Sequence, residues 1–378
     1  MKTIKNIFGV LLLVAVLGSP ADALAGDESV ELSMDAKVLS GSLYREVPRP
    51  VSARLHIKVK VPEAQDSVTP MINSRVTFPE DMSFYPNPQV TPVCGAEKIG
   101  QSTNLGLGVA RIIDLCPRSV VGTGTARIHL AQNKSGILDD PELVIFNGGA
   151  DSQGRPKITI YGYSKAAGAG LLMSGSLAKS GELNIAIGVM PFDSSIADFT
   201  LGIPGDTLAV EDIQSPGGTL EVNGQDPGFL RAVCSKGVWE ATGVFDFATR
   251  SDSSGELTSP VTSVGSNSDS LPCKGLAGRP KIKLVRLAGN RGFRAGGSNT
   301  YTLRFRNTGT ASLRQAVLRA TGGGKGQARL GTLAPGQTRT VRLKVRFDRA
   351  GKARRSLKFA IHSPNGGLAK MIGVRESG

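Results

Sequence analysis

Histidine, tryptophan and cysteine are the scarce residues of this chain: three, one and four in 378 positions. So few imidazoles and thiols leave little material for acid–base relays, haem ligation or multi-metal sites. Long helices are disfavoured by 48 glycines and 21 prolines, and the glycines lack the one-in-three period of collagen. Charged residues at 20% and hydrophobic ones at 40% are the balance of a globular chain, neither disordered nor membrane-embedded. An all-β protein is the expectation. No GxSxG elbow, HExxH helix or Walker A loop is present, so neither an enzymatic activity nor a cofactor is expected.

What is present begins with Lys2 and Lys5, the apolar run from Ile7 to Leu17, and Ala23-Leu24-Ala25. These are the three regions of a secretory signal, with cleavage expected before Gly26. The apolar run falls short of the ~20 residues that a membrane-spanning helix needs. No cysteine near the cleavage point can carry a lipid, and the last eight residues are too short and polar to anchor the chain. The mature protein is therefore expected outside the cytoplasm, secreted or held noncovalently at the cell surface. Cys94, Cys116, Cys234 and Cys273 form an even set, as an oxidising compartment favours. Pairing Cys94 with Cys116 and Cys234 with Cys273 closes the shortest loops, each bridge contributing about 3 kcal/mol. The absence of a CxxC spacing, or of a histidine beside any cysteine, argues against zinc.

Charge divides the chain at Cys273. From Lys274 to Gly378 there are 24 Lys and Arg against two acids, Asp348 and Glu376, a net +22. From Gly26 to Cys273 there are 19 against 28, a net −9. The overall +14 conceals two opposed regions. The expected organisation is a signal at 1–25, an acidic disulfide-containing β region of one or two units at 26–273, a linker at 274–279, and a basic β-sandwich at 280–378. In that last part apolar and basic residues alternate with the period of a half-buried strand. Val341, Leu343, Val345 and Phe347 face a core, so Arg342, Lys344 and Arg346 face solvent. Tyr301, Leu303 and Phe305 repeat the pattern against Arg304 and Arg306, and Leu357, Phe359 and Ile361 repeat it with Lys358 outside. Turn residues at Gly289-Asn290, Asn307-Thr308-Gly309, Gly322-Gly323-Gly324, Pro335-Gly336 and Asn365-Gly366 space out about seven strands.

The run Phe305-Arg306-Asn307-Thr308-Gly309, followed by Leu330-Gly331-Thr332-Leu333-Ala334-Pro335-Gly336-Gln337-Thr338, resembles the immunoglobulin-like modules of bacterial cell surfaces, of the CARDB and related adhesion type. The resemblance covers about the last hundred residues. It implies a seven-stranded sandwich that serves as a spacer or adhesion module and brings no catalytic residues. The density of Arg and Lys departs from such modules and requires its own account.

The acidic region also shows strands: Leu55, Ile57, Val59 and Val61 alternate with polar neighbours, and 142–147, 157–163, 183–189, 199–203 and 238–247 follow. A short helix fits between Gly95 and Ile113. Isolated candidates for chemistry have bland readings beside them. His56, His129 and His362 stand in or beside strands, as packed or surface histidines do. Gly322 to Gly326 lacks the Lys-Ser/Thr pair of a phosphate loop and fits a hairpin tip. Asp139, Asp140 and Glu142 lack EF-hand spacing, so solvated acids outweigh calcium ligands. Trp239, five residues after Cys234, suits core packing better than a sugar platform. Asn133-Lys134-Ser135 matches a glycosylation sequon by chance.

Two functions of different kinds remain. In one, Arg304, Arg306, Arg342, Lys344, Arg346 and Lys358 form a face that adsorbs an anionic polymer of the cell envelope. In the other, the basic and acidic regions dock on each other, within or between chains, and build a surface layer. Nucleic acid is the less favoured polyanion, because Tyr301, Phe305, Phe347 and Phe359 fall on the inward register and cannot stack on bases.

Overall fold

The computed structural model describes residues 27–101, 105–177, 181–204, 208–212, 215–220 and 228–377, with the side chains of 208–220 left aside. The expected signal segment and its cleavage point lie outside the described residues. Strands β1 (Ser29–Val38), β2 (Arg49–Lys60), β3 (Met71–Thr77) and β4 (Met82–Phe84) come first, followed by helices α1 (Ala96–Ile99) and α2 (Val109–Leu115). Next are β5 (Val120–His129), β6 (Ile137–Leu138), β7 (Glu142–Ala150), β8 (Pro156–Ser164), β9 (Ala169–Leu177), β10 (Glu182–Ala186) and β11 (Ser195–Ile203). A separate hairpin of β12 (Leu208–Asp212) and β13 (Ser215–Leu220) precedes β14 (Leu230–Ala232), β15 (Val238–Phe247), β16 (Thr262–Gly265) and β17 (Asp269–Pro272). The chain is all-β, and each segment named from alternation holds a strand, although the one expected at 183–189 ends at Ala186.

Antiparallel pairing runs through ten strands in the order β15, β3, β10, β9, β8, β7, β5, β11, β2, β1. The two ends of this sheet meet. Beyond β15 lie β16 and β17, and Ser266 between them bridges Val30 of β1. Asn267 accepts from the Leu32 N–H at 2.7 Å and donates back to the Leu32 carbonyl at 3.0 Å, while Asp269 accepts from the Met34 N–H at 2.6 Å. Polar side chains thus satisfy the edge of β1 that a further strand would otherwise pair, and the sheet curls shut. Its inward residues, among them Leu32, Ile57, Val76, Ile145, Ile160 and Phe245, form one continuous core. The acidic region therefore holds one principal core.

Outside this curl, α1 and α2 cover β7 and β8. Ile99, Val109 and Ile112 pack on Val144, Phe146 and Tyr161, which explains why these two strands are buried on both faces. Helix α2 ends at Leu115, and Cys116 after it is non-helical, as the following Pro117 favours. The Cys94–Cys116 disulfide ties the helical flap together, and Cys234–Cys273 closes the end of the sheet. Both pairings are those expected from loop length, and no free thiol remains for zinc. Trp239 is buried beside the second bridge and donates its indole N–H to the Val233 carbonyl at 2.8 Å.

The basic region contains eight strands, one more than expected: β18 (Ile282–Ala288), β19 (Gly292–Phe293), β20 (Ser298–Asn307), β21 (Leu313–Gly322), β22 (Gly324–Leu333), β23 (Thr338–Phe347), β24 (Arg354–Ser363) and β25 (Gly366–Glu376). The additional strand is β19, two residues that pair in parallel with β25. One layer is β18–β20–β23 and the other β21–β24–β25. Strand β22 pairs with β21 along most of its length and with β23 only at Gly324 and Lys325, so it turns the corner between layers. Tyr301 of β20 meets Phe359 of β24 edge-on at 5.2 Å, and Phe293 stacks on Phe347 at 4.6 Å. These contacts fill the space between the layers. The turn from β21 to β22 needs Gly322: its φ is +97°, and a Cβ there would strike the Ser356 carbonyl.

The segment joining the two sheets is held at both ends. Leu276 exchanges backbone hydrogen bonds with Leu43 and Arg45, while Arg279 and Lys281 bond to Thr310 and Thr308. Glu46 reaches across to the second sheet, accepting from the Ser312 N–H at 2.7 Å and pairing with Arg314 at 3.4 Å.

Candidate functional site

Strand pleating alone places Arg304 and Arg306 on the outer side of β20, and Arg342, Lys344 and Arg346 on the outer side of β23, because their neighbours Leu303, Phe305, Leu343, Val345 and Phe347 are buried. Register then decides who meets whom. Arg304 faces Thr340, Arg306 faces Thr338, Arg342 faces Thr302, Lys344 faces Thr300 and Arg346 faces Ser298. Each cation is thus opposite a hydroxyl, and like charges between these two strands meet only diagonally. Direct opposition of like charges would destabilise the pair of strands. Successive cations on one strand stand about 7 Å apart.

The stripe extends further than the sequence indicated. Lys283 and Arg286 on β18 lie directly opposite Arg306 and Arg304, and Lys325 on β22 lies opposite Arg346. A bulge at Val285 shifts Arg286 into that position, so simple alternation along β18 does not reveal it. Lys325 sits beside the Gly322 to Gly324 turn, which is a hairpin tip as expected. The result is a band of eight cations crossing four strands, with Thr and Ser between them. Among the described residues none of the eight is ion-paired. The two acids of this region lie elsewhere, Asp348 just after β23 and Glu376 at the end of β25.

Lys358 does not join the band. It is exposed on β24, opposite Thr321 of β21 and Met371 of β25, and therefore lies on the outer side of the other layer. Alternation gave its orientation relative to its own strand correctly but could not show which layer that strand enters.

The isolated candidates resolve into structural roles. His56 is exposed on β2 between Ser33 and Thr200, and His362 is exposed on β24. His129 is buried at the end of β5, and desolvation holds its imidazole below the ordinary histidine value. Asp140 accepts from the Ser164 hydroxyl at 2.7 Å and the Ala166 N–H at 2.8 Å, so it fixes the β8–β9 turn. Asn133 accepts from the Ser135 N–H at 2.9 Å in a tight turn. Among the described residues no group of three His, Cys, Asp or Glu is placed to hold a metal ion, and no helix is long and apolar enough to cross a membrane.

No protein-family model and no curated protein matches the chain. Solved structures with partial similarity include red sea bream transglutaminase, at 8% identity and a TM-score of 0.21 over 92% of this chain and 31% of that one. The T6 backbone pilin of serotype M6 Streptococcus pyogenes aligns at 7% identity and a TM-score of 0.25, over 92% and 52% of the two chains. A protein of unknown function from Porphyromonas gingivalis W83 aligns at 14% identity and a TM-score of 0.19, over 63% and 91%. The chain thus spans 31% and 52% of the first two. Likeness at this level assigns neither fold nor activity.

Proposed function

We propose that this is a secreted, non-enzymatic protein of the cell envelope whose basic sandwich adsorbs to an anionic surface polymer. The observation that carries the reading is the unpaired band of Lys283, Arg286, Arg304, Arg306, Lys325, Arg342, Lys344 and Arg346 on one sheet face. Cations that repel one another across strands cost stability unless a partner neutralises them. The interleaved hydroxyls of Thr300, Thr302, Thr338 and Thr340 suit the same partner, since phosphate and carboxylate oxygens accept hydrogen bonds from both guanidinium and hydroxyl groups. Binding releases the counterions condensed on the polymer, so affinity is sequence-independent and steeply salt-dependent. The local disulfides fit export, and the likeness of residues 305–338 to bacterial surface modules fits an envelope setting.

Docking between the acidic and basic regions is the second reading, favoured by the Glu46–Arg314 pair. That contact engages β21 and leaves the band open. Buried Tyr301, Phe305, Phe347 and Phe359 again disfavour single-stranded nucleic acid. Co-sedimentation of the protein with whole cell walls, at low and high salt, tests the proposal. Retention at low salt and release at high salt are expected. A complex in trans between the separately added halves, with no wall retention, would favour docking instead.

A further inference from the structure

One end of the curled sheet is not filled by its own side chains. A cavity of about 400 Å³ lies inside, within the range of about 300–1,000 Å³ usual for small-molecule pockets. Ser74, Ile160 and Ile185, among its most deeply buried lining residues, form the floor, and Met173 and Ile187 also line it. Among the described lining residues there is no Asp, Glu, Lys, Arg or His.

The floor carries a polar group without a partner. Ser74 is 0% exposed, aligned with Ile185 on β10 and Phe245 on β15, and its hydroxyl makes no hydrogen bond among the described residues. A buried hydroxyl left in this state is costly. A lone water would not resolve it, since a buried water needs two to four polar partners and the surrounding floor is aliphatic.

The rim has a second unusual feature. Phe192 is 72% exposed and has a φ of +55°, and Asp193 follows at +45°. Across from them Ala131 and Gln132 are also left-handed, at +49° and +60°. The two turns are joined by the Ala131 N–H donating to Ser194 Oγ at 3.0 Å. A buried ion pair braces the Phe192–Asp193 turn, Arg250 Nε to Asp193 Oδ1 at 3.3 Å, with the Arg250 guanidinium also donating to the Ile187 and Gly188 carbonyls. Backbone strain of this kind persists where surrounding structure enforces it, and it gathers at ligand sites. Here it holds an aromatic ring out in solvent at the opening of an apolar chamber.

We infer that the cavity binds a neutral single-chain lipid, an apolar body with one uncharged oxygen such as a fatty alcohol or prenol, entering past Phe192 and accepting a hydrogen bond from Ser74 at the floor. A carboxylate or phosphate at the floor is excluded because nothing there would neutralise it. The site is separate from the basic band and does not depend on the function proposed for it.

The test uses the full chain and the neutral fluorophore N-phenyl-1-naphthylamine. Saturable uptake at one site per chain is expected, with displacement by 1-hexadecanol. Met173→Trp fills the chamber and is expected to reduce uptake more than tenfold while the protein still melts cooperatively. Ile187→Phe fills the same space from β10's end and provides the same reading should the first variant fail to fold. Ser74→Ala is expected to weaken 1-hexadecanol about fivefold and leave hexadecane unchanged, the loss of one neutral hydrogen bond. Absence of saturable uptake overturns the inference. So does uptake that survives in a folded filling variant, equal loss of hexadecane in Ser74→Ala, or palmitate binding more tightly than 1-hexadecanol.

Discussion

The two sheets obey the same alternation and spend it differently. In the first, polar residues of both signs face outward and the inward side chains leave a chamber at one end. In the second, the interior is closed by large rings and the outward charged side chains are almost all of one sign. Strand periodicity explains both cores, but it is indifferent to what faces solvent and to whether ten inward rows add up to a filled volume. The features that distinguish the regions are therefore those that folding does not require.

That difference is sharpest in its response to truncation. Phe347→Ala removes a ring stacked on Phe293 in a closed core and is expected to cost about 3–5 kcal/mol. Met173→Ala only enlarges an existing space and is expected to cost about 1 kcal/mol, since few contacts are lost. Calorimetric melting of both variants checks the contrast, and equal losses would break it. Asp193→Ala should rank with the ring deletion, at about 3–5 kcal/mol, because it leaves Arg250 buried without its counter-ion. A loss below 1 kcal/mol would show that the rim is not braced as described.

Smaller effects follow from single charges. The buried His129 imidazole is held below its ordinary value, so the unfolded chain protonates first as pH falls below about 6.5. Stability is then full above that pH and declines until the lowered folded value is passed. His129→Gln should flatten this part of the stability profile, measured by urea unfolding between pH 7 and pH 5. An unchanged slope would assign the acid sensitivity to other groups. Glu46→Gln should be the mildest change, at most about 1 kcal/mol, since its partner Arg314 is largely exposed. Hydrogen bonding from Ser312 holds Glu46 below the ordinary carboxylate range, so its contribution is present above that range and is lost as pH falls through the lowered value.

Much of this architecture was legible in the sequence because alternation is local. The strand at Leu55 to Val61, the basic outer faces of β20 and β23, and the short-loop disulfides all depend on residues near one another in the chain. What could not be read depends on distant partners. The closure of the first sheet rests on Asn267 meeting Leu32, more than two hundred residues away. The layer that Lys358 faces cannot be read locally, because the chain crosses from β23 in one layer to β24 in the other. Arg286 was missed because a one-residue bulge breaks the period that would have revealed it. The chamber is a volume deficit summed over many strands, so no single residue announces it, although unpartnered Ser74 in an inward row marks its floor.

Whether the cationic band meets a polyanion, as proposed, is decided by salt dependence. Binding of the parent and of the Arg342→Gln, Lys344→Gln, Arg346→Gln triple variant to poly(glycerol phosphate) is measured across a salt series. The parent should show a linear fall of log affinity with log salt, at about 0.9 per neutralised phosphate if the polymer behaves as duplex DNA does. The triple variant should bind more weakly at low salt with a slope shallower by about two to three, while its melting temperature stays level or rises as Arg346 ceases to oppose Lys325. Equal affinity and equal slope for the two proteins would show that Arg342, Lys344 and Arg346 do not engage the polymer.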